Sequence, residues 1–306
     1  MLSADHSLSN CMYPTSTQCI LVGLDLSSTD EYFLSFLAKN AQALTEQPIQ
    51  FIHVEEAPPA DEATEQMKTE RLRDRMAHIK QSIPAEVAPK EIDILPGDPE
   101  TEIKKRGQAQ SIDLLVLGQK PTAHADVAVE RLVRKSGSSL LLLPEQDNYR
   151  IGTIGIAIDF SPLSKMVVQA ARDLAQSFGA KLVGFHTYQV PTGYHKTGKS
   201  RQESAEVMEN NARKEASRFL ADLGLDAMEM HYRYDQHQPP AEEIADFARE
   251  TGIDLLVVGS KGRTNAADLV LGSVAKKLTQ TLKDIPTMII KKKHENMDLL
   301  DALKEL

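Results

Sequence analysis

Tryptophan is absent from the 306 residues, and Phe and Tyr together make up only 5% of the chain. So few ring faces argue against a platform on which single-stranded bases stack. Two cysteines, Cys11 and Cys19, are too few for a disulfide scaffold and fit a reducing compartment. No apolar run approaches the roughly eighteen residues of a membrane helix. The first residues carry Asp5 and His6 where a secretory leader would need an uncharged apolar core, so no leader is expected. Positive charge is also in deficit: 35 Lys and Arg against 44 Asp and Glu leave a net charge of −9. That balance disfavours a sequence-independent grip on nucleic acid or on an anionic membrane. What remains is ordinary globular composition, 41% hydrophobic and 26% charged. At roughly 150 residues per domain, the length predicts two domains. The expectation is a cytoplasmic two-domain protein.

Apolar runs of strand length alternate with stretches of helical period. Residues 19–25 (CILVGLD) predict a short buried strand and 31–45 an amphipathic helix. Then follow strands at 50–54 and 91–95, helices at about 62–82 and 98–110, a strand at 113–118, a helix at about 124–136 and a strand at 139–144. Continuous Val/Ile/Leu runs separated by helices indicate a parallel sheet covered on both faces. The pattern then returns. GIAIDFS (155–161) restates the first strand, residues 164–179 the first helix with Gly179 as its C-cap, AKLVGFHT (180–187) the second strand, and DLLVVG (254–259) the run DLLVLG. Asp25 and Asp159 lie 134 positions apart, His53 and His186 lie 133 apart, and Gly118 and Gly259 lie 141 apart. A nearly constant offset marks a duplicated domain, joined by the short polar linker at 146–150. Five parallel strands are expected in each half, with ligands at their carboxyl ends where the strand order reverses.

The stretch richest in chemistry is DLLVVGSKGRTNAADLVLGSVAKKL. Gly259 ends a buried strand, Gly262 lies three positions on, and Gly272-Ser273 follows after nine more residues. Glycines at a strand end let the backbone adopt φ > 0 and approach a ligand closely. Their amides, with those at the start of the helix begun by Gly272-Ser273, suit an anion, and Ser273 adds a hydroxyl and is expected to cap the helix. The result is a phosphate cradle without a Walker lysine. In the first half the loop after Gly118 reads Gln-Lys-Pro-Thr. Pro121 stands where Gly262 stands, and Arg131 and Leu132 replace Gly272 and Ser273. Proline offers no amide donor, and the two side chains would fill the cradle. The first half is therefore expected not to hold a nucleotide in this way, although Arg131, Arg134 and Lys135 could attract another anion.

The spacing G-2x-G-9x-G-S, an Asp after the first strand, and His-Thr or His-Val closing the second strand resemble the universal stress proteins. The duplication resembles their tandem type. The resemblance covers nearly the whole chain: a domain at 19–145 with a degenerate loop, a domain at 151–292 with the intact loop, and a tail at 293–306. It implies an α/β fold in which each domain is a five-stranded parallel sheet with helices on both faces, of the adenine nucleotide alpha hydrolase-like type. The halves would pack as a pseudo-dimer through antiparallel pairing of 139–144 with 285–291, covering two exposed edges. The implied ligand is ATP or another adenine nucleotide, with or without magnesium. By that resemblance Asp159, with Ala157 beside it, meets the base end and Thr187 lines the adenine pocket. Val258, Gly259, Ser260, Lys261, Gly262, Gly272, Ser273 and Val274 hold ribose and phosphates. Many members place a hydroxyl two residues after the serine, where this chain has Ala275, leaving one phosphate or metal contact without its hydroxyl. The implied role is a nucleotide-dependent stress-response regulator, forming a homodimer, with an unidentified protein partner left open. A slow ATPase and a scaffold holding a non-nucleotide ligand are the alternatives, and no residue presents itself as a catalytic base.

Other signals compete. Gly193 to Ser200 matches the P-loop pattern G-x-x-x-x-G-K-[ST]. A P-loop leaves its strand directly, whereas five residues, including Pro191, separate Thr187 from Gly193. A flap near the nucleotide, with Lys196 and Lys199 able to face phosphates, is the preferred reading. Asp159 could equally serve as the N-cap of the helix after Phe160-Ser161-Pro162, a role compatible with base contact. His186 is expected to be a satisfied core histidine. His195, His231 and His237 lack metal-ligand spacing, so no metal site is expected. Neither cysteine has a companion base, and Leu299, Leu300, Leu303 and Leu306 suggest a tail helix packed on its own domain.

Overall fold

The computed structural model describes residues 19–55, 61–82, 85, 88, 91–119, 132, 137–147, 149–235, 238–262 and 271–292. The helix expected over 124–136 lies outside these residues apart from Leu132, which is helical. Cys11, Pro121, Arg131, Arg134, Lys135, His237 and the tail at 293–306 also lie outside them.

The first half runs β1 (Ile20–Leu24), α1 (Thr29–Leu44), β2 (Gln50–Glu55), α2 (Glu62–Ser82), β3 (Ile92–Pro96), α3 (Pro99–Gln110), β4 (Leu114–Gln119) and β5 (Ser139–Pro144). The second runs β6 (Thr153–Ala157), α4 (Pro162–Phe178), β7 (Lys181–Tyr188), a short 3-10 turn at Tyr194–Thr197, α5 (Arg201–Ala221), β8 (Glu229–Tyr234), α6 (Pro240–Glu250), β9 (Leu255–Gly259), α7 (Ser273–Thr281) and β10 (Thr287–Ile290). All ten strands join one sheet in the order β3-β2-β1-β4-β5-β10-β9-β6-β7-β8. Within each half every pairing is parallel, and the halves meet where β10 pairs antiparallel with β5, Met288 opposite Leu141. The expected seam is therefore present, and it turns two parallel sheets into one mixed sheet.

Apolar side chains cover both faces of the sheet, as continuous hydrophobic strands require. On one face Phe33, Leu34 and Leu37 of α1, Val167, Val168 and Ala171 of α4, and Phe219 of α5 enclose one core. On the other, Ile103 of α3, Ile244 and Phe247 of α6, and Leu278 of α7 enclose a second. Local sequence explains where the helices stop and start. Ser161 accepts from the Ser164 amide at 3.2 Å, Pro162 takes the first helical position of α4, and Gly179 ends it in the left-handed region at φ +64°. The linker is less polar than its composition suggests. Tyr149 is fully buried, stands edge-on to Phe36 at 5.3 Å and donates its hydroxyl to the Pro144 carbonyl, while Asn40 Nδ2 donates to the Tyr149 carbonyl. Burial raises the Tyr149 phenol above its ordinary range.

A duplicated aspartate fixes where each first strand begins. Asp254 Oδ2 accepts from the amides of Gly152 and Thr153 at 2.9 and 2.8 Å, and Asp113 Oδ2 accepts from the Cys19 amide at 3.0 Å. Charged hydrogen bonds contribute about 1.5–3 kcal/mol each. Replacing Asp254 by Ala, which leaves the Gly152 and Thr153 amides without their acceptor, should lower the unfolding free energy by about 2 kcal/mol, as measured by urea denaturation.

Candidate functional site

In each half the sheet order reverses between the first and fourth strands, so two loops diverge there and leave a crevice at the carboxyl ends. In the second half that crevice lies between β6 and β9. After β6 the backbone turns through Phe160, a non-glycine residue held at φ +62°. Asp159 stabilises the turn: its Oδ1 accepts from the Ser161 amide at 3.0 Å and from the Ser164 hydroxyl, which also accepts from the Asp159 amide at 3.1 Å. Ser161, not Asp159, is the N-cap of α4, because an aspartate in an Asx turn two residues earlier cannot reach the helix amides. The other oxygen, Oδ2, points across the crevice. A β-carbon placed on Gly262 would lie 3.0 Å from it.

On the opposite wall the chain leaves β9 at Gly259 and returns at Gly272. The Gly272 amide donates to the Ser260 carbonyl at 2.7 Å, and the Ser260 amide donates to the Ile290 carbonyl at 2.8 Å. Both amides are therefore spent within the protein, contrary to a cradle that offers all of them to phosphate. The glycines also work differently from the expectation. Among the described residues, positive φ occurs at glycines 97, 179, 198, 224 and 252, and at none of the three loop glycines. Space is what excludes side chains. A β-carbon on Gly272 would stand 3.2 Å from the Ser260 carbonyl oxygen and 3.3 Å from Lys261 Cα, and one on Gly259 would meet Leu163 and the Lys261 carbonyl at 3.1 Å. Gly272 rather than Ser273 is the N-cap of α7, and with no side chain of its own it makes no side-chain cap hydrogen bond. Ser273 is exposed one position further in, and Ala275, where a hydroxyl was sought, is buried in the core.

Other members of the expected set take different places. Val258 is buried beneath the loop, Ala157 ends β6 and Val274 is half-buried on α7. Thr187, half-buried on β7, pairs with Arg233 of β8. His186 is buried, bonds the Ile158 carbonyl through Nδ1 at 2.7 Å and packs against Phe160 at 4.4 Å, the satisfied core role. The P-loop-like string has another use. Gly198 turns the chain at φ +70°, Ser200 caps α5, and Glu203 closes a reciprocal capping box on it. The helix start that a P-loop would offer to phosphate already holds the protein's own carboxylate. His231 bonds Glu229 at 2.8 Å, and no metal-ligand cluster occurs among the described residues.

Sequence reasoning missed Lys291. It follows Ile290, which pairs with Gly259, so it stands beside the Ser260-Lys261 turn. Burial, and then the charge of Lys261, lowers its ammonium to about 8. The run Lys291-Lys292-Lys293 after the last strand was the available signal.

The model of the Universal stress protein family matches this chain twice, over residues 17–141 and 150–291. The chain belongs to the universal stress protein family. The universal stress protein YxiE of Bacillus subtilis is 31% identical over 143 residues, 44% of this chain and 96% of that protein. A universal stress protein from Archaeoglobus fulgidus shares the fold with a TM-score of 0.65 at 16% identity, over 92% of this chain and 99% of its own. Protein PA1789 of Pseudomonas aeruginosa does so with the same score at 17% identity, over 95% and 97%. The tandem α/β architecture is thus that of the family. No helix among the described residues is long and apolar enough to cross a membrane.

The first universal stress protein repeat repeats the turn with one change. Leu26 takes φ +58° where Phe160 stands, and His53 Nδ1 bonds the Leu24 carbonyl at 3.0 Å as His186 bonds Ile158. But Ser164 is replaced by Asp30, whose Oδ1 and Oδ2 accept from the amides of Asp25 and Leu26 at 3.3 and 2.9 Å. Burial first, and then the charge of Asp25, raises the Asp30 carboxyl from 3.8 to about 7. The folded chain therefore holds this proton up to about pH 7, while the unfolded chain releases it near 4. The stabilisation from this group is complete below about pH 4 and is lost as pH rises through about 7. Asp30→Asn should flatten that decline, as followed by chemical denaturation between pH 4 and 8.

Proposed function

We propose that the second repeat binds an adenine nucleotide, ATP foremost, and that the protein acts as a nucleotide-dependent stress-response regulator. One observation carries this reading. The first turn of α7, whose N-cap is a glycine without a capping side chain, is held by the Gly272–Ser260 bond near the end of β9, beside two lysines, Lys261 and Lys291, that repel each other. Helix-start amides favour negative charge, and an anion between two ammonium groups removes their repulsion. Across the crevice Asp159 Oδ2 supplies an acceptor for the donor edge of a base. An anionic end and an acceptor end at the two walls of a switch-point crevice fit a nucleotide.

In this arrangement Gly259, Ser260 and Gly262 shape the wall. Lys261, Lys291 and the amides of Ser273, Val274 and Ala275 meet the phosphates, while Ser273 adds its hydroxyl. Ala157, Asp159 and Thr187 border the base, with Val258 as apolar support. Magnesium would have to be held mainly by the phosphates and water, because Ser273 supplies the one hydroxyl in the first turn of α7. Among the described residues of the site no base is poised for in-line attack, and storage and release of ATP is the role proposed. A cytoplasmic homodimer that passes the nucleotide state to a partner protein completes the proposal.

Calorimetric titration with ATP tests it. One site per chain is expected, lost by at least about a hundredfold in Gly262→Val, which drives a branched side chain toward Asp159, and unchanged in Pro121→Ala. Asp159→Ala should cost roughly 1.5–3 kcal/mol through one charged hydrogen bond. Wild-type affinity should fall as pH rises through about 8, where Lys291 loses its charge, and Lys291→Gln should remove that fall. Two equivalent sites, or full affinity in Gly262→Val, would overturn the assignment.

A further inference from the structure

Among the described residues the sheet ends on β3 and β8. An edge strand turns alternate amides and carbonyls away from its one neighbour, where they invite a further strand. The Asp235 amide donates to the Tyr188 carbonyl at 2.8 Å, so at a period of two Glu229, His231 and Arg233 direct their backbone groups to β7. Those of Met230, Tyr232 and Tyr234 point outward. The edge at β3 is blunter. There the Gly97 amide donates to the Glu55 carbonyl at 3.0 Å, so Pro96 takes an outward position and has no amide to offer. β8 contains no proline.

The side chains of β8 divide by face. Glu229, His231 and Arg233 lie on the α6 side, where the His231 ring is 5.2 Å from that of Phe247 and Arg233 pairs with Glu243 and Glu250. Met230, Tyr232 and Tyr234 lie on the α5 side, with the guanidinium of Arg213 over Tyr232 and that of Arg201 over Tyr234. The order acid, imidazole, base is complementary to its own reverse. An antiparallel second β8, related by a two-fold axis through His231, sets Glu229 opposite Arg233 twice on one face and Met230 opposite Tyr232 twice on the other. Glu229 already meets Lys181, and Arg233 meets Glu250, so the new pairs would join two existing ion pairs into one network. An axis through Tyr232 would instead set Glu229 opposite Asp235 and His231 opposite Arg233. Charge therefore selects the first register.

We propose that β8 is an interface for a second copy of this chain, the two β8 strands pairing antiparallel about a two-fold axis at His231. Backbone hydrogen bonds from the outward residues and the Met230–Tyr232 contacts supply the attraction, while the exposed ion pairs fix the register. Such an isologous contact closes on itself, which β8 against β3 would not. The inference rests on the homodimer proposed above and gives it a contact surface. It does not depend on the nucleotide, because β7 and β6 stand between β8 and the crevice.

Sedimentation equilibrium of the full chain tests it. The wild type is expected as a dimer at about 100 μM. Glu229→Arg or Arg233→Glu alone sets like charges opposite one another and should weaken association at least about tenfold. An equimolar mixture of the two variants should regain wild-type association as a heterodimer, a recovery that damage to either fold would not give. His231→Cys places its sulfurs at a non-hydrogen-bonded pair, with Cα atoms about 4.5 Å apart, and should give a reducible covalent dimer beyond any formed by the wild type. The proposal is overturned by a monomeric wild type, by single variants that associate undiminished, or by a mixture of folded variants that stays monomeric. Absence of the His231→Cys cross-link, or open-ended polymers in place of a dimer, also overturns it. ATP titration of Arg233→Glu reads the nucleotide site separately, so failure of one reading is distinguished from failure of the other.

Discussion

The 2.7 Å hydrogen bond from the Gly272 amide to the Ser260 carbonyl fixes where α7 begins. A side chain at Gly272 would displace this contact, because its β-carbon would meet the loop backbone on two sides. The bond therefore holds the first turn of a helix against the end of β9, next to Lys261. The other end of the same helix reaches across the seam. Gln119, the residue that ends β4 in the first repeat, donates its amide to the Thr279 carbonyl at 2.7 Å, and Lys283 donates to that oxygen at 2.9 Å. The helix is thus anchored to its own strand at one end and to the other repeat at the opposite end.

Duplication and divergence have acted on matching positions. Gln119 ends β4 and Ser260 directly follows β9, but one ties the halves together and the other shapes a loop. Ser164 and Asp30 both brace the turn after a first strand, and the change from hydroxyl to carboxyl brings a titrating group into the first repeat. Ser273 is exposed, while Leu132 is part of the core. The shared fold keeps the crevice, and these exchanges change the groups that border it.

Much of this was legible in the sequence. Continuous Val/Ile/Leu runs at constant offset identified the strands and the duplication, because burial on both faces leaves no polar alternation to blur them. The pairing of 139–144 with 285–291 came from the resemblance to the tandem universal stress proteins, and the need to cover two edges is its physical reason. Helix ends were legible where cap chemistry is strong, as at Gly179. Less was legible at the candidate site. Glycine spacing pointed to the loop but suggested positive φ, whereas crowding between Ser260, Lys261 and Gly272 is the reason no side chain fits. Lys291 and Asp30 went unnoticed because their roles arise from strand neighbours and burial, which one residue's chemistry does not disclose. The P-loop match was set aside on context, and the structure adds that Ser200 and Glu203 satisfy the same helix start from within.

The central claim is that α7 receives the anionic end of a nucleotide in the second repeat alone. Amide hydrogen exchange with and without ATP addresses it at single-segment resolution. The account predicts slowed exchange at 261–262 and 273–275 and unchanged exchange at 117–119 and around Leu132. Equal protection of the matching segments in both repeats, or no change at the start of α7 while ATP is bound, would contradict it.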